Sequence, residues 1–222
     1  RRLKGKPLSK ILKQKGFWKD IFYTDENTLD PRSDSEILIE NIVNDFNVQK
    51  DTQFNFIDLC CGTGCLGISL LKEFKYSKCD FIDISNKALL NCNKNISALS
   101  VENRSNIFEL DLFENYPISK IKKIKFIVCN PPYIPTDNLF LLDNETLHDP
   151  KISLDGGING LNFYTRIIEF LKNHQFTGDV YFEIDPLIVV ELDKFLLEKA
   201  IKIVYKKKDY LNLDRLLKIT FP

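Results

Sequence analysis

The chain has 222 residues, enough for one large domain or one domain with an appendage. Lysine plus arginine and aspartate plus glutamate number 31 each, so there is no net basic field of the kind that drives non-specific nucleic-acid binding, although a local basic patch stays open. No apolar run approaches the roughly 20 residues of a membrane span, and no signal-peptide pattern opens the chain.

Residues 1–16 are basic, broken by Gly5, Pro7 and Gly16, with a short apolar-periodic piece at Leu8, Ile11 and Leu12; they read as a linker. The absence of methionine and the opening Arg1-Arg2 read as a fragment or processed form. Phe17-Trp18 through Leu29 mixes aromatics with Asp-Glu-Asn and predicts a β-hairpin. Pro31 to Glu36 sets up a helix start with Ser33 or Asp34 as N-cap, and the helix runs to about Phe46. From residue 54 strands and helices alternate. Strands are predicted at 54–59, 79–84, 106–110, 125–129 and 179–184, and helices at 66–74, 86–99, 161–172 and 187–197. Two further strands, 201–205 and 215–221, joined by a short connection, suggest an antiparallel edge hairpin. This spacing argues for βαβ units and a mostly parallel sheet covered on both faces.

Six cysteines fall in or beside apolar segments, and Cys60, Cys61 and Cys65 have no matching Cys/His pair downstream, since the histidines are His148 and His174. Reduced core thiols in an intracellular protein are the better reading than zinc, and no metal is expected.

The chemistry gathers at strand ends. Asn130-Pro131-Pro132-Tyr133-Ile134 follows the apolar run Phe126 to Cys129. Two prolines cannot extend a ladder, so the chain leaves the sheet at Asn130 in a stiff turn, at the strand end where open α/β sheets bind ligands. A carboxamide oxygen beside the Pro131 carbonyl makes a two-acceptor clamp for an NH2 group; a plain turn would use the same residues. Upstream, Asp58-Leu59-Cys60-Cys61-Gly62-Thr63-Gly64 lies between the first parallel strand and its helix, where glycines let backbone approach a ligand. Asp58 is an acid that would attract a cationic ligand and repel a phosphate. Asp83 is placed to take ribose hydroxyls. Asp111, with Leu112 beside it, is a receiver for an adenine amino group and face. Taken singly, Asp83 reads as an N-cap and Asp111 as a turn residue. Together the set points to S-adenosylmethionine, which carries a ribose, a sulfonium and an ammonium but no phosphate.

These residues closely resemble the HemK/PrmC protein-(glutamine-N5) methyltransferases, which modify peptide-chain release factors. The likeness is carried by Gly5-Lys6-Pro7-Leu8, Phe17-Trp18, Leu29 to Glu36, the Asp58 to Gly64 loop, Asp83-Ile84-Ser85 and Asn130 to Ile134. Further along it is carried by His148-Asp149-Pro150, Leu154 to Gly157 with Gly160-Leu161, Phe163-Tyr164, Glu183-Ile184 and Asp214-Arg215. The Asn-Pro-Pro-Tyr motif alone is shared with DNA adenine and rRNA guanine amino-methyltransferases. Cys60 stands where the family usually has glycine, Ser33 where it has proline, and Asp185 where glycine is common.

The resemblance implies a class I, Rossmann-like methyltransferase fold: a seven-stranded mostly parallel sheet with helices on both faces, an antiparallel C-terminal edge hairpin and a small N-terminal hairpin. It implies residues 1–30 as the remnant of a docking region whose helical domain would precede this chain, and residues 31–222 as the methyltransferase domain. It implies S-adenosylmethionine as cofactor, S-adenosylhomocysteine as product, and transfer to the glutamine of a release factor's Gly-Gly-Gln loop. The clamp is then Asn130 with Pro131, held by Pro132 and flanked by Tyr133, and the cofactor is held by Asp58, Cys60, Cys61, Gly62, Thr63, Gly64, Asp83, Asp111, Leu112 and Asn130. A monomer is expected in the bacterial cytoplasm or an organellar matrix, with no stable nucleic-acid or membrane partner. The competing readings are a ribosomal-protein glutamine methyltransferase, a nucleic-acid amino-methyltransferase, and a non-catalytic binding protein.

Overall fold

In the computed structural model the described residues are 5–222, so the opening Arg1-Arg2 and the first four residues of the predicted linker lie outside them. In chain order the elements are α1 (Leu8–Leu12), β1 (Gln14–Phe17), β2 (Asp20–Tyr23), α2 (Glu36–Asp45), β3 (Asn55–Leu59), α3 (Cys65–Glu73), β4 (Lys78–Asp83) and α4 (Asn86–Ala98). They continue as β5 (Ser105–Glu109), α5 (Ile118–Ile121), β6 (Ile124–Cys129), α6 (Asn162–Asn173), β7 (Gly178–Glu183), α7 (Val189–Glu198), β8 (Lys202–Lys208) and β9 (Asp214–Phe221). Strands β1 and β2 form a separate antiparallel hairpin, and the other seven form one sheet in the order β5-β4-β3-β6-β7-β9-β8. The pairings are parallel from β5 through β7, and β9 runs antiparallel to both β7 and β8. This is the expected fold.

Side-chain alternation along the strands builds two cores. Phe56, Phe81, Phe126 and Val128 face α2, α3 and α4, where Leu38, Ile39, Ile42, Ile68, Leu71 and Ile96 complete a buried cluster. Ile57, Ile82, Ile127 and Val180 face the other way, onto Tyr164, Ile167, Ile168 and Leu171 of α6 and Leu192 and Leu196 of α7. After β3 the chain builds outward through β4 and β5, then returns to place β6 on β3's other side. The carboxyl ends of β3, β4 and β6 therefore flank a topological switch point, where such sheets open a crevice.

Three expectations change. The hairpin spans 14–23, not 17–29; residues 24–32 are a loop that walls the crevice. The presumed linker piece is the short helix α1, whose Lys10 is buried. The predicted serine cap is absent: residues 33–35 form a 3-10 turn, α2 begins at Glu36, and no side chain caps it. The Ser35 hydroxyl is engaged elsewhere.

Candidate active site

A cavity of about 230 Å³ lies over the ends of β3, β4 and β6. Its floor is Leu59, Cys60, Cys61, Gly62 and Thr63, with Asp83 and Ser85 on one side, Leu110, Asp111 and Leu112 on another, and Asn130 and Pro132 opposite. The loop from Asn27 to Arg32, with Phe163 and Arg166 of α6, closes the rim. Asp58, Gly64, Pro131 and Tyr133 are not among the residues whose atoms line it.

The cofactor loop is tight. Cys60 has φ of 57°, in the left-handed region, so it adopts the backbone a glycine would take there at a cost of about 1–2 kcal/mol. Its thiol meets that of Cys129, the last residue of β6, and burial pushes the Cys129 thiol up. A Cβ built on Gly62 would meet nothing within 4 Å, so the loop presents bare backbone to open space.

Asp83 accepts the Gly62 N–H through Oδ2 and the Ser85 N–H through Oδ1, both at 2.9 Å. Each oxygen keeps a lone pair for a further donor. Burial pushes the carboxyl up against these backbone bonds.

Asp58 departs from its predicted role. It lies on the strand face turned to α3, and Oδ2 accepts the Gly67 N–H at 2.8 Å. Oδ1 is buried and has no hydrogen-bond partner. Burial, with Asp83 near, drives the carboxyl well above the ordinary value. Asp58 anchors α3 through the Gly67 bond and is not among the residues that line the cavity.

Asp111 lines the rim, and its Oδ2 accepts from Arg166 at 2.9 Å. Arg32, the other arginine of the wall, is held by Asp149 at 2.7 Å. Both cationic side chains thus carry an aspartate already. An acid at the β4 end, exposed backbone above β3 and no unpaired arginine among the described lining residues suit a nucleoside without phosphates. The residues therefore fit S-adenosylmethionine: Asp83 for the ribose hydroxyls, Leu110 and Leu112 for the adenine face, and the Cys60–Thr63 backbone for the rest. Among the described residues no cluster of His, Cys, Asp and Glu is arranged to hold a metal ion.

At the exit of β6, Asn130 Nδ2 donates to Ser35 Oγ at 3.4 Å, and the Ser35 hydroxyl donates to Glu183 Oε2. Asn130 Oδ1 accepts from none of the described residues, and Asn130 lines the cavity. None of the described residues donates to the Pro131 carbonyl, which leaves a second acceptor beside it. The Tyr133 hydroxyl lies 3.4 Å from Glu183 Oε1, and Tyr133 is not among the residues that line the cavity. A bridge from Ile134 to Asp155 stiffens the turn, with Ile134 N–H on the Leu154 carbonyl at 3.0 Å and Gly156 N–H on the Ile134 carbonyl at 2.8 Å. A Cβ on Gly156 would lie 2.7 Å from Tyr133 Cα, so only glycine lets these two backbones close up.

Ser35, Arg166 and the 27–32 loop were not predicted as site residues. Their signal is spatial: Ser35 and Glu183 meet across 148 positions of sequence.

The Methyltransferase small domain family model matches residues 26–141. The release factor glutamine methyltransferase of Mycoplasma mycoides is 33% identical over 213 residues, covering 92% of this chain and 72% of that protein. The chain belongs to the release factor glutamine methyltransferase family. The Leptospira interrogans member is 39% identical over 155 residues, covering 69% of this chain and 53% of its own length. The chain thus spans from about half to about three-quarters of these relatives. The ribosomal protein uL3 glutamine methyltransferase of Francisella tularensis is 33% identical over 187 residues, 84% of this chain and 56% of that one. Among solved structures, the N-terminal domain of human METTL16 in complex with SAH superposes with a TM-score of 0.64 at 14% identity, covering 90% of this chain and 75% of that one. The ribosomal protein L11 methylase of Lactobacillus delbrueckii subsp. bulgaricus gives 0.60 at 17% identity, covering 93% and 89%. At these identities they speak for the fold.

Proposed function

We propose that this chain transfers a methyl group from S-adenosylmethionine to the side-chain amide nitrogen of the glutamine in a release factor's Gly-Gly-Gln loop. The observation that carries this is the orientation at Asn130, a residue of the cavity lining: Nδ2 is taken by Ser35, which leaves Oδ1 for a donor from the cavity. In this reading Oδ1 and the carbonyl of the next residue, Pro131, are the two acceptors for the two N–H bonds of a primary amide. S-adenosylmethionine, when bound, supplies an electrophilic methyl group. An amide nitrogen is a poor nucleophile because its lone pair is delocalised into the carbonyl. Asn130 and Pro131 hold both N–H bonds to one side, which aims the lone pair and stabilises the positive charge that develops on nitrogen. The methylated, ammonium-like amide is strongly acidic, so no dedicated base is required. Asp83 fixes the nucleoside, and the Asp111–Arg166 pair closes its adenine end.

In the same reading residues 1–30 serve partner docking and 31–222 carry the transfer. The enzyme acts as a monomer in the cytoplasm, where release factors are; no helix of the described residues is long and apolar enough to cross a membrane. A ribosomal-protein glutamine is the second reading, favoured by the 33% identity to the uL3 enzyme, because the clamp reads an amide and not its neighbours.

The test is transfer of isotopically labelled methyl to an intact release factor, the same factor with its Gly-Gly-Gln glutamine changed, ribosomal proteins, and duplex DNA. Label that disappears with the glutamine supports the proposal. Label on a ribosomal protein or on DNA alone overturns it.

A further inference from the structure

Glu183 ends β7, is 2% exposed, and touches neither the cavity nor, in any step above, the substrate. Buried carboxylates are costly, so its placement calls for a use. Its Oε2 accepts the Ser35 hydroxyl and its Oε1 faces the Tyr133 hydroxyl at 3.4 Å, while its own backbone carbonyl accepts the Tyr164 hydroxyl at 2.7 Å. A hydroxyl has one proton. With that proton committed to Glu183, Ser35 Oγ offers Asn130 only lone pairs, and a carboxamide meeting a lone pair must present its NH2 end.

We propose that Ser35 and Glu183 are positioning residues of the methyl-transfer step: ionised Glu183 takes the Ser35 proton, and Ser35 thereby fixes the Asn130 carboxamide with Oδ1 towards the substrate amide. The inference rests on the glutamine reading and extends it to the state of a group one shell behind the clamp. Its corollary is a reversal. A protonated Glu183 donates to Ser35, whose hydroxyl is then free to donate to Asn130 Oδ1. The carboxamide turns over and shows its NH2 to the substrate's N–H bonds, donor against donor.

The groups that face Glu183 decide where this happens. Ser35 and Asp34 approach from the turn before α2, Tyr133 from the turn after β6, Tyr164 from α6, Cys65 from the start of α3 and Arg215 from β9. Burial dominates and raises the carboxyl to about 7, against the Ser35 hydrogen bond and the Arg215 charge. The reversal is therefore expected near neutral pH.

Two readouts on the intact chain test this. The first needs no substrate: the Asn130 side-chain NH2 signals in 15N-edited NMR, assigned by their loss in Asn130→Asp. They should move with pH with a midpoint near 7 in the parent and stay fixed in Glu183→Gln, whose amide oxygen still accepts from Ser35 but does not titrate. The second is kcat for glutamine methylation. It should rise with pH through the same midpoint in the parent, lose that limb in Glu183→Gln, and fall by about 100-fold in Ser35→Ala with cofactor KM little changed, as expected for misplacement of an aligned group. Asn130 signals indifferent to pH in the parent, or a limb that persists in Glu183→Gln, would overturn the proposal. Titrating Asn130 signals in a parent that methylates no glutamine would support the network and overturn the substrate reading instead.

Discussion

Lys10 is the strongest test of how the cavity rim is held. Its ammonium is fully buried, 2.8 Å from Asp30 Oδ1 and 2.9 Å from Asp149 Oδ1, and it donates to the Asp25 carbonyl at 2.7 Å and to the Thr28 carbonyl. Asp149 Oδ1 is buried and accepts no hydrogen bond, so the Lys10 charge is what offsets its desolvation. Lys10→Met keeps the length of the stem and removes the charge, leaving two enclosed carboxylates with Arg32, itself half in solvent, against one of them. Removing one partner of such a set costs about 3–5 kcal/mol. At about 2–4 °C per kcal/mol for a chain of this size, Tm should fall by about 6–20 °C. The pH dependence carries a second signature. Burial pushes Asp30 up, but hydrogen bonds from Lys10, Ser9 and Thr24 outweigh it and hold the carboxyl below its ordinary value. A depressed folded value contributes stability above the unfolded pKa of about 3.9 that is lost as pH falls through the folded one. The variant lacks most of that contribution, so the gap between parent and variant should narrow on going from about pH 6 to pH 3. Urea unfolding at several pH values measures both. A difference under about 1 kcal/mol at neutral pH, or a gap that ignores pH, would show the cluster to be far less important than its burial suggests.

Other consequences follow from the same geometry. Gly64 has φ of +76°, and a Cβ there would sit 2.6 Å from Cys92 Sγ, so Gly64→Ala should lose about 2–5 kcal/mol of stability in urea unfolding. Because Glu183 is raised to about 7 from an ordinary 4.5, its contribution to stability is full below about pH 4.5 and is lost as pH rises through 7. Between pH 4.5 and 8 the parent should therefore lose about 3 kcal/mol more than Glu183→Gln, again by urea unfolding. Asp83→Asn can accept only one of the Gly62 and Ser85 N–H groups, so calorimetric affinity for S-adenosylhomocysteine should fall about tenfold or more.

The sheet was legible because buried parallel strands write short apolar runs, and the Pro131-Pro132 pair marked the exit of β6 directly. What escaped the sequence was decided by contacts between distant residues. The stretch after Tyr23 read as strand by its composition, but Thr24, Asp25, Thr28 and Asp30 converge on Lys10, and that buried polar cluster bends residues 24–32 into a loop. Ser33 and Asp34 looked like caps; the serine with the decisive bond is Ser35, spent on a glutamate from β7. Asp58 looked like a ligand for a cation, and strand parity sent it to the α3 face, where the Gly67 N–H takes it. Asp111 was placed at the right strand end, but Arg166, its partner from α6, has no local signal. Tyr133 belongs to the motif and yet points back to Glu183.

The central claim is that Asn130 acts on the substrate amide in the transfer far more than on cofactor binding. Asn130→Ala should be compared with the parent by single-turnover methyl transfer to the Gly-Gly-Gln glutamine, mapped by mass spectrometry, beside calorimetric affinity for S-adenosylhomocysteine. The account predicts a rate lower by about 10²–10³, the usual loss for one preorganised polar partner, with affinity changed by less than about tenfold. A variant that transfers methyl to the same glutamine at close to the parental rate would contradict it.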